Sequence, residues 1–142
     1  MTATNKIFVE WKGNLCLQAH NEKGLTADFD APKEHGGNET ALTPMENLLS
    51  SLAACSSIHI LIILKKKKLN IEDYHVEATA ERCDEPPRIF TKIQLKYIFK
   101  GNIPTQAVED AIRIAQEKYC SVGGMLKKDI PIVTSYEIIK DP

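Results

Sequence analysis

Alternation of apolar and polar residues opens the chain. Residues 6–12 read Lys-Ile-Phe-Val-Glu-Trp-Lys, Gly13-Asn14 is a turn signal, and residues 15–20 alternate again as an antiparallel partner. A second turn at 21–24 leads to a short third strand at 25–30, so the pattern predicts a three-stranded meander. Residues 31–42 carry Pro32, Gly36, Gly37 and Asn38 and read as a long loop. From 43 to 64 the period changes. Apolar residues cover almost every face of a helix there, which predicts a buried central helix. Thr43 suits its N-cap, Pro44 its first position and Glu46 the third, a Thr-x-x-Glu capping box. Four lysines, 65–68, end it where cations suit the helix dipole.

Period-two alternation then returns. Tyr74, Val76, Ala78 and Ala80 share one face of a strand over 74–82. Pro86-Pro87 interrupts, and a second strand over 89–99 turns Ile93, Leu95, Tyr97 and Phe99 inward, which completes a second hairpin. Val108, Ala111, Ile112, Ala115 and Tyr119 form one helical stripe. Residues 121–128 follow as a short helix and 130–139 as a final strand. Strands in runs, broken by helices without regular βαβ alternation, indicate an α+β fold. Nothing marks a boundary, so one domain over 1–142 is expected. A helix apolar all round needs more cover than two small sheets provide, and a homodimer is expected for that reason.

Composition adds exclusions. A net charge of −1 argues against nucleic acid or an anionic membrane surface as a partner. The N-terminus lacks the apolar run of a signal peptide, and the run 58–64 is too short to span a bilayer. A cytoplasmic protein with no membrane partner is the expectation.

Candidate chemistry centres on cysteine. The four lie at 16, 55, 83 and 120, with no Cys-x-x-Cys, a spacing that favours free or redox thiols over structural disulfides. Cys16 and Cys83 fall on predicted strands and read as structural. Cys55 lies in the apolar helix, where a thiol is either inert filling or deliberately placed. Ala53, Ala54, Ser56 and Ser57 around it permit close approach of another backbone or a ligand. Cys120 stands where the short helix opens, a position that favours a thiolate. Cys16-x-x-x-His20 and Cys55-x-x-x-His59 repeat one spacing, but no second ligand pair is close to either, so neither a metal nor another cofactor is expected.

Thr43-Pro44-Met45-Glu46 running into Leu52-Ala53-Ala54-Cys55 resembles the first cysteine motif of the OsmC/Ohr family, the osmotically induced and organic-hydroperoxide-resistance proteins. Glu117-Lys118-Tyr119-Cys120-Ser121-Val122 resembles the second, and the segments 87–91 and 134–138 are similar to a divergent OsmC-like branch. The resemblance implies an intertwined homodimer of α+β subunits, with sites at the subunit interface. It also implies a thiol peroxidase free of metal and flavin. Cys55 would attack a small hydrophobic hydroperoxide and become a sulfenic acid; Cys120 would resolve it as a disulfide; a small or protein-borne dithiol would reduce the pair.

Well-studied members hold the thiolate with an N-terminal Arg and a Glu ten residues before the cysteine. Here no Arg precedes Arg82, Met45 takes the Glu position, and Glu46 lies on the opposite side of the helix from Cys55. Glu46 therefore reads first as a capping-box partner. The remaining candidates for stabilising the thiolate are His59, one turn along the helix from Cys55, Arg88 at a strand start, and Lys12 or Lys23. Each has a plainer reading, His59 as a core histidine and Arg88 as an exposed strand-end charge. A rival for the whole site is a non-catalytic cleft that binds a small hydrophobic ligand, with Cys55 as lining. A third is Cys55–His59 thiol chemistry without Cys120.

Overall fold

In the computed structural model, which describes residues 3–140, the chain divides by its internal contacts into two compact units, 1–48 and 49–142.

The first unit holds the meander. β1 (Phe8–Trp11), β2 (Leu17–His20) and β3 (Thr26–Phe29) form one antiparallel sheet in that order. Cys16 sits just before β2 rather than on a strand, since the Gly13-Asn14 turn is closed by Cys16 N–H donating to Gly13 O and Lys12 N–H to Cys16 O. The loop after β3 is organised by one buried carboxylate. Asp30 accepts from the Thr40 hydroxyl (2.6 Å), from the backbone N–H groups of Ala31 (2.7 Å) and Thr40 (3.1 Å), and from that of Asn38 (3.4 Å). Gly37 lets the loop fold against itself, because a Cβ there would collide with the Ala31 backbone. The helix α1 (Pro44–Lys66) starts in this unit with the expected capping box: Glu46 N–H donates to Thr43 Oγ1 (3.2 Å) and Thr43 N–H to Glu46 Oε1 (3.0 Å).

The second unit packs α1 on a three-stranded sheet, β4 (Asp73–Arg82), β5 (Phe90–Lys100) and β6 (Ile132–Ile139), with β5 in the middle. β4 and β5 are the antiparallel hairpin that alternation predicted, with Tyr74 opposite Phe99 and Ala80 opposite Ile93. β6 lies parallel to β5, which requires a crossover; α2 (Thr105–Ile114), a π-helical turn (Ala115–Tyr119) and α3 (Ser121–Leu126) make it. Leu52, Ile60, Leu64, Ile93, Leu95, Tyr97, Phe99 and Val108 are fully buried and form the core. Cys83 lies just past β4, not on it.

Two further expectations need correction. First, α1 is buried on one side only: Leu52, Ala53, Ser56, Ser57, Ile60 and Leu64 are covered, while Ile58 and Ile62 remain exposed at 56% and 44% on this chain. The helix as a whole, unlike the run 58–64, is long and apolar enough to cross a membrane by length and composition. Its buried face is nevertheless bonded to the sheet through Ser56–Tyr97 and Ser57–Tyr74, as in a core helix. Second, Tyr119 leaves the apolar stripe and is 44% exposed. Val108, Ala111, Ile112 and Ala115 are buried as the 3.6-residue period requires, but the π turn that starts at Ala115 widens the next turn and rotates Tyr119 outward.

Candidate functional site

Cys55 and Cys120 are brought together within the second unit. Cys55 is half-buried on α1, and Cys120 is buried at the junction of the π turn and α3. The two side chains are near enough to interact, and the Cys55 thiol acts on Cys120 in the sense that favours its protonated form. Burial is the main cause pushing the Cys120 thiol above its ordinary range, and the neighbouring Cys55 sulfur adds to it. Backbone N–H groups act in the opposite direction. Cys120 is the N-cap of α3 and its sulfur accepts from Gly123 N–H at 3.3 Å. A side chain at 123 would crowd that sulfur, since a Cβ there would lie 3.2 Å from Cys120 Sγ and 3.5 Å from Leu52 Cδ1.

How Cys120 reaches this place follows from the π turn. Its N–H donates to Ala115 O at 2.8 Å, an i to i−5 bond, and the chain then becomes extended at Cys120 (φ −72°, ψ 99°) before α3 begins. Behind the cysteines runs a buried polar chain that pattern reading did not single out. Gln116 Nε2 donates to the Tyr97 hydroxyl (2.8 Å), Tyr97 donates to Ser56 Oγ (2.8 Å), and Ser56 donates to Ala53 O (3.2 Å). Burial pushes the Tyr97 phenol up, with the Ser56 and Gln116 bonds opposing and the charge of Cys120 adding. A signal for this chain was available. Tyr97 lies on the inward face of its strand and Ser56 on the covered side of an apolar helix, and two buried hydroxyls must find partners.

His59 stacks on Tyr119, with ring centroids 5.5 Å apart and planes 21° from parallel. The pair lines a cavity of about 480 Å³ whose other walls are Ile62, Ile63, Lys66, Lys67 and Ile114. Cys55, His59, Ile62 and Lys66 are spaced i, i+4, i+7 and i+11, so they lie along one face of α1. Arg88 stands in the β4–β5 loop, where its Nε donates to Cys83 O (3.2 Å) and its carbonyl accepts from Arg82 Nε (2.9 Å). Glu46 belongs to the first unit and to the capping box. Lys12 is also there, 3.5 Å from Glu10. The site is a pair of interacting thiols whose sequence neighbours His59 and Tyr119 line an apolar, lysine-rimmed cavity, an arrangement suited to two-electron thiol chemistry on an organic molecule.

Comparison with known proteins matches the chain to a family. The family model described as OsmC-like protein matches residues 36–135. The chain is 35% identical to Protein YhfA of Escherichia coli K12 over 132 residues, 92% of this chain and 96% of that one. Its structure is similar to that of a hypothetical protein from Aquifex aeolicus, with a TM-score of 0.85, 28% identity and coverage of 99% and 100% of the two chains. An organic hydroperoxide resistance protein OsmC from Legionella pneumophila shares the fold at a TM-score of 0.71, with 19% identity and coverage of 96% and 98%.

Proposed function

This chain belongs to the OsmC-like family, and from that premise we propose that it reduces organic hydroperoxides through a cycle between the thiols and the disulfide of Cys55 and Cys120. The observation that carries the reading is that half-buried Cys55 and buried Cys120 lie near enough for their side chains to interact. The name of the Legionella relative, an organic hydroperoxide resistance protein, supports the substrate class.

The chemistry runs in three steps. The Cys55 thiolate attacks the terminal oxygen of the peroxide; the O–O bond breaks, Cys55 becomes a sulfenic acid, and the alkoxide leaves as the alcohol by taking up the proton that the Cys55 thiol had released. The Cys120 sulfur then attacks the Cys55 sulfur. The S–O bond breaks, and the hydroxide leaves as water with the proton that Cys120 gives up. A dithiol, small or protein-borne, returns both thiols by exchange and is itself oxidised. Burial disfavours the Cys120 thiolate, so the less buried Cys55 is assigned to the peroxide, and Cys120 gives up its proton as it attacks the sulfenic acid. The apolar walls of the adjoining cavity favour an alkyl or fatty chain on the peroxide. His59, one turn from Cys55 on the same face, is the auxiliary group best placed toward that cavity. The uncovered faces of α1 and of the meander support a homodimer.

Turnover is the test. Reduced protein should consume cumene hydroperoxide with dithiothreitol present, and stoichiometric peroxide should yield a peptide pair linked through Cys55 and Cys120 in mass spectrometry. Cys55→Ser should abolish both, and Cys120→Ala should leave Cys55 to over-oxidise. Free thiols after peroxide, with no turnover, would end the proposal in favour of a ligand-binding cleft.

A further inference from the structure

We propose that the buried chain Gln116–Tyr97–Ser56 sets Cys120 against Cys55, with Tyr97 and Gln116 as positioning residues for disulfide closure. The inference rests on the two-cysteine reading above but concerns geometry rather than peroxide chemistry.

The chain is complete and directional. Each hydroxyl accepts one bond and donates the next, from the Gln116 amide through Tyr97 and Ser56 to Ala53 O. Tyr97 and Ser56 are fully buried, and among the described residues no buried side-chain polar atom lacks a partner. A polar chain inside an apolar core is costly unless every member is satisfied, and once satisfied it fixes one arrangement. Apolar groups of the same shape would fill this space without that requirement. They would not hold a register, because hydrophobic contact is non-directional.

Its two ends are next to the two cysteines. Ser56 follows Cys55 on α1. Gln116 is the second residue of the π turn, and the first, Ala115, receives the Cys120 N–H. Tyr97, on the central strand between them, is near enough to Cys120 for the charge of that sulfur to act on its phenol. The Gln116 backbone is held as well, with its carbonyl accepting from Lys127 Nζ at 3.3 Å. A π insertion breaks the regular helix hydrogen bonding and is frequently found at functional sites. Here it ends at the buried thiol, and the polar chain pins its second residue to the strand under α1. Disulfide formation has narrow geometric demands, with Cα atoms separated by about 4.4–6.8 Å and a defined torsion. Loosening the π turn therefore slows closure while leaving the first attack at Cys55 intact.

The test uses Tyr97→Phe, Gln116→Leu and the double variant in the full chain. Closure is driven in reduced protein by diamide, which takes up two electrons and two protons as the disulfide forms, and Cys55–Cys120 linkage is followed by quenched mass spectrometry. Each single variant should close about tenfold more slowly, equivalent to about 1.4 kcal/mol in the barrier. The double variant should be no slower than the worse single, because either change breaks the same chain. With peroxide, Cys55 should be oxidised at the wild-type rate, and more of it should be trapped by dimedone as sulfenic acid. Closure at the wild-type rate in either single variant overturns the inference. Gln116 is half-buried, so its variant serves if Tyr97→Phe unfolds the core. Wild-type protein that closes with diamide but shows no peroxide turnover overturns the proposed function and leaves this inference standing if the variants close slowly. Wild-type protein that does not close with diamide overturns both.

Discussion

Asp30 is a single residue on which the loop from Ala31 to Thr40 is folded. Four hydrogen bonds converge on its carboxylate, and they hold its pKa down to about 2, against an ordinary 3.8; the Thr40 hydroxyl contributes most, followed by the backbone N–H groups of Ala31 and Thr40. A depressed carboxylate pKa means that the unfolded chain takes up a proton before the folded chain does. The stability Asp30 contributes is therefore fully present above about pH 4 and is lost progressively as pH falls through about 2. Other carboxylates titrate in the same window, so the difference between wild type and Asp30→Asn isolates this one. The variant should be less stable at neutral pH, and the gap between the two proteins should close across that window. Denaturant unfolding followed by the fluorescence of Trp11, which lies in the same unit, gives the comparison. A gap independent of pH would show that Asp30 acts by shape and not by charge.

The central helix is the element on which fold and site meet, and it was the most legible in the sequence. Its start was written in Thr43, Pro44 and Glu46, because capping depends on a few local residue types. The second hairpin was equally clear, because one covered face makes alternation strict. The π turn was not legible: an inserted residue leaves the stripe intact up to Ala115 and misplaces only Tyr119. The parallel placement of β6 was also hidden, since strand pairing across a crossover has no local signal. Of the candidate site, Cys55 and Cys120 are marked in the sequence by their motifs, whereas Tyr97 and Gln116 are not, because a core tyrosine and a helical glutamine are unremarkable until they are paired.

The helix also carries a prediction about substrate. The lysine run reads in the sequence as a solvated helix end, yet Lys66 and Lys67 line the cavity that contains His59. Lys66 is eleven residues from Cys55 on the same face, a rise of about 16 Å. A chain peroxide ending in a carboxylate spans that distance, with its peroxide at Cys55 and its carboxylate at the lysine. Lys66→Ala should raise KM for such a substrate a few-fold at low salt, in keeping with about 1 kcal/mol for an exposed ion pair. KM for neutral cumene hydroperoxide should stay unchanged, and the difference should shrink as salt is added. Equal effects on both peroxides would mean that Lys66 contributes to the cavity wall and not to recognition of an anion.

At the scale of the molecule, the exposed apolar residues point to a second copy. In the first unit Ile7, Val9, Trp11 and Leu25 are 58–70% exposed, and no residue of β1 is covered. In the second, Ile58 and Ile62 form an open side of α1 half a turn from the buried one. Single exposed apolar residues need no explanation, but rows of them on a strand and on a helix mark an interface. A homodimer that covers both would bring α1 closer to the all-round burial its composition calls for. Sedimentation of the wild-type chain should give twice the 15.9 kDa chain mass. Ile58→Glu puts a charge in the middle of the exposed helix face, at a position that neither lines the cavity nor touches the polar chain. It should shift the protein to monomer, because an unpaired charge is costly to bury. If the cavity is completed by the partner, turnover should fall with dimer population, and raising protein concentration should restore it by mass action. A wild-type monomer would remove the second subunit from the site. A dimer that tolerates Ile58→Glu would move the interface from α1 to the meander, where Trp11→Glu becomes the decisive substitution.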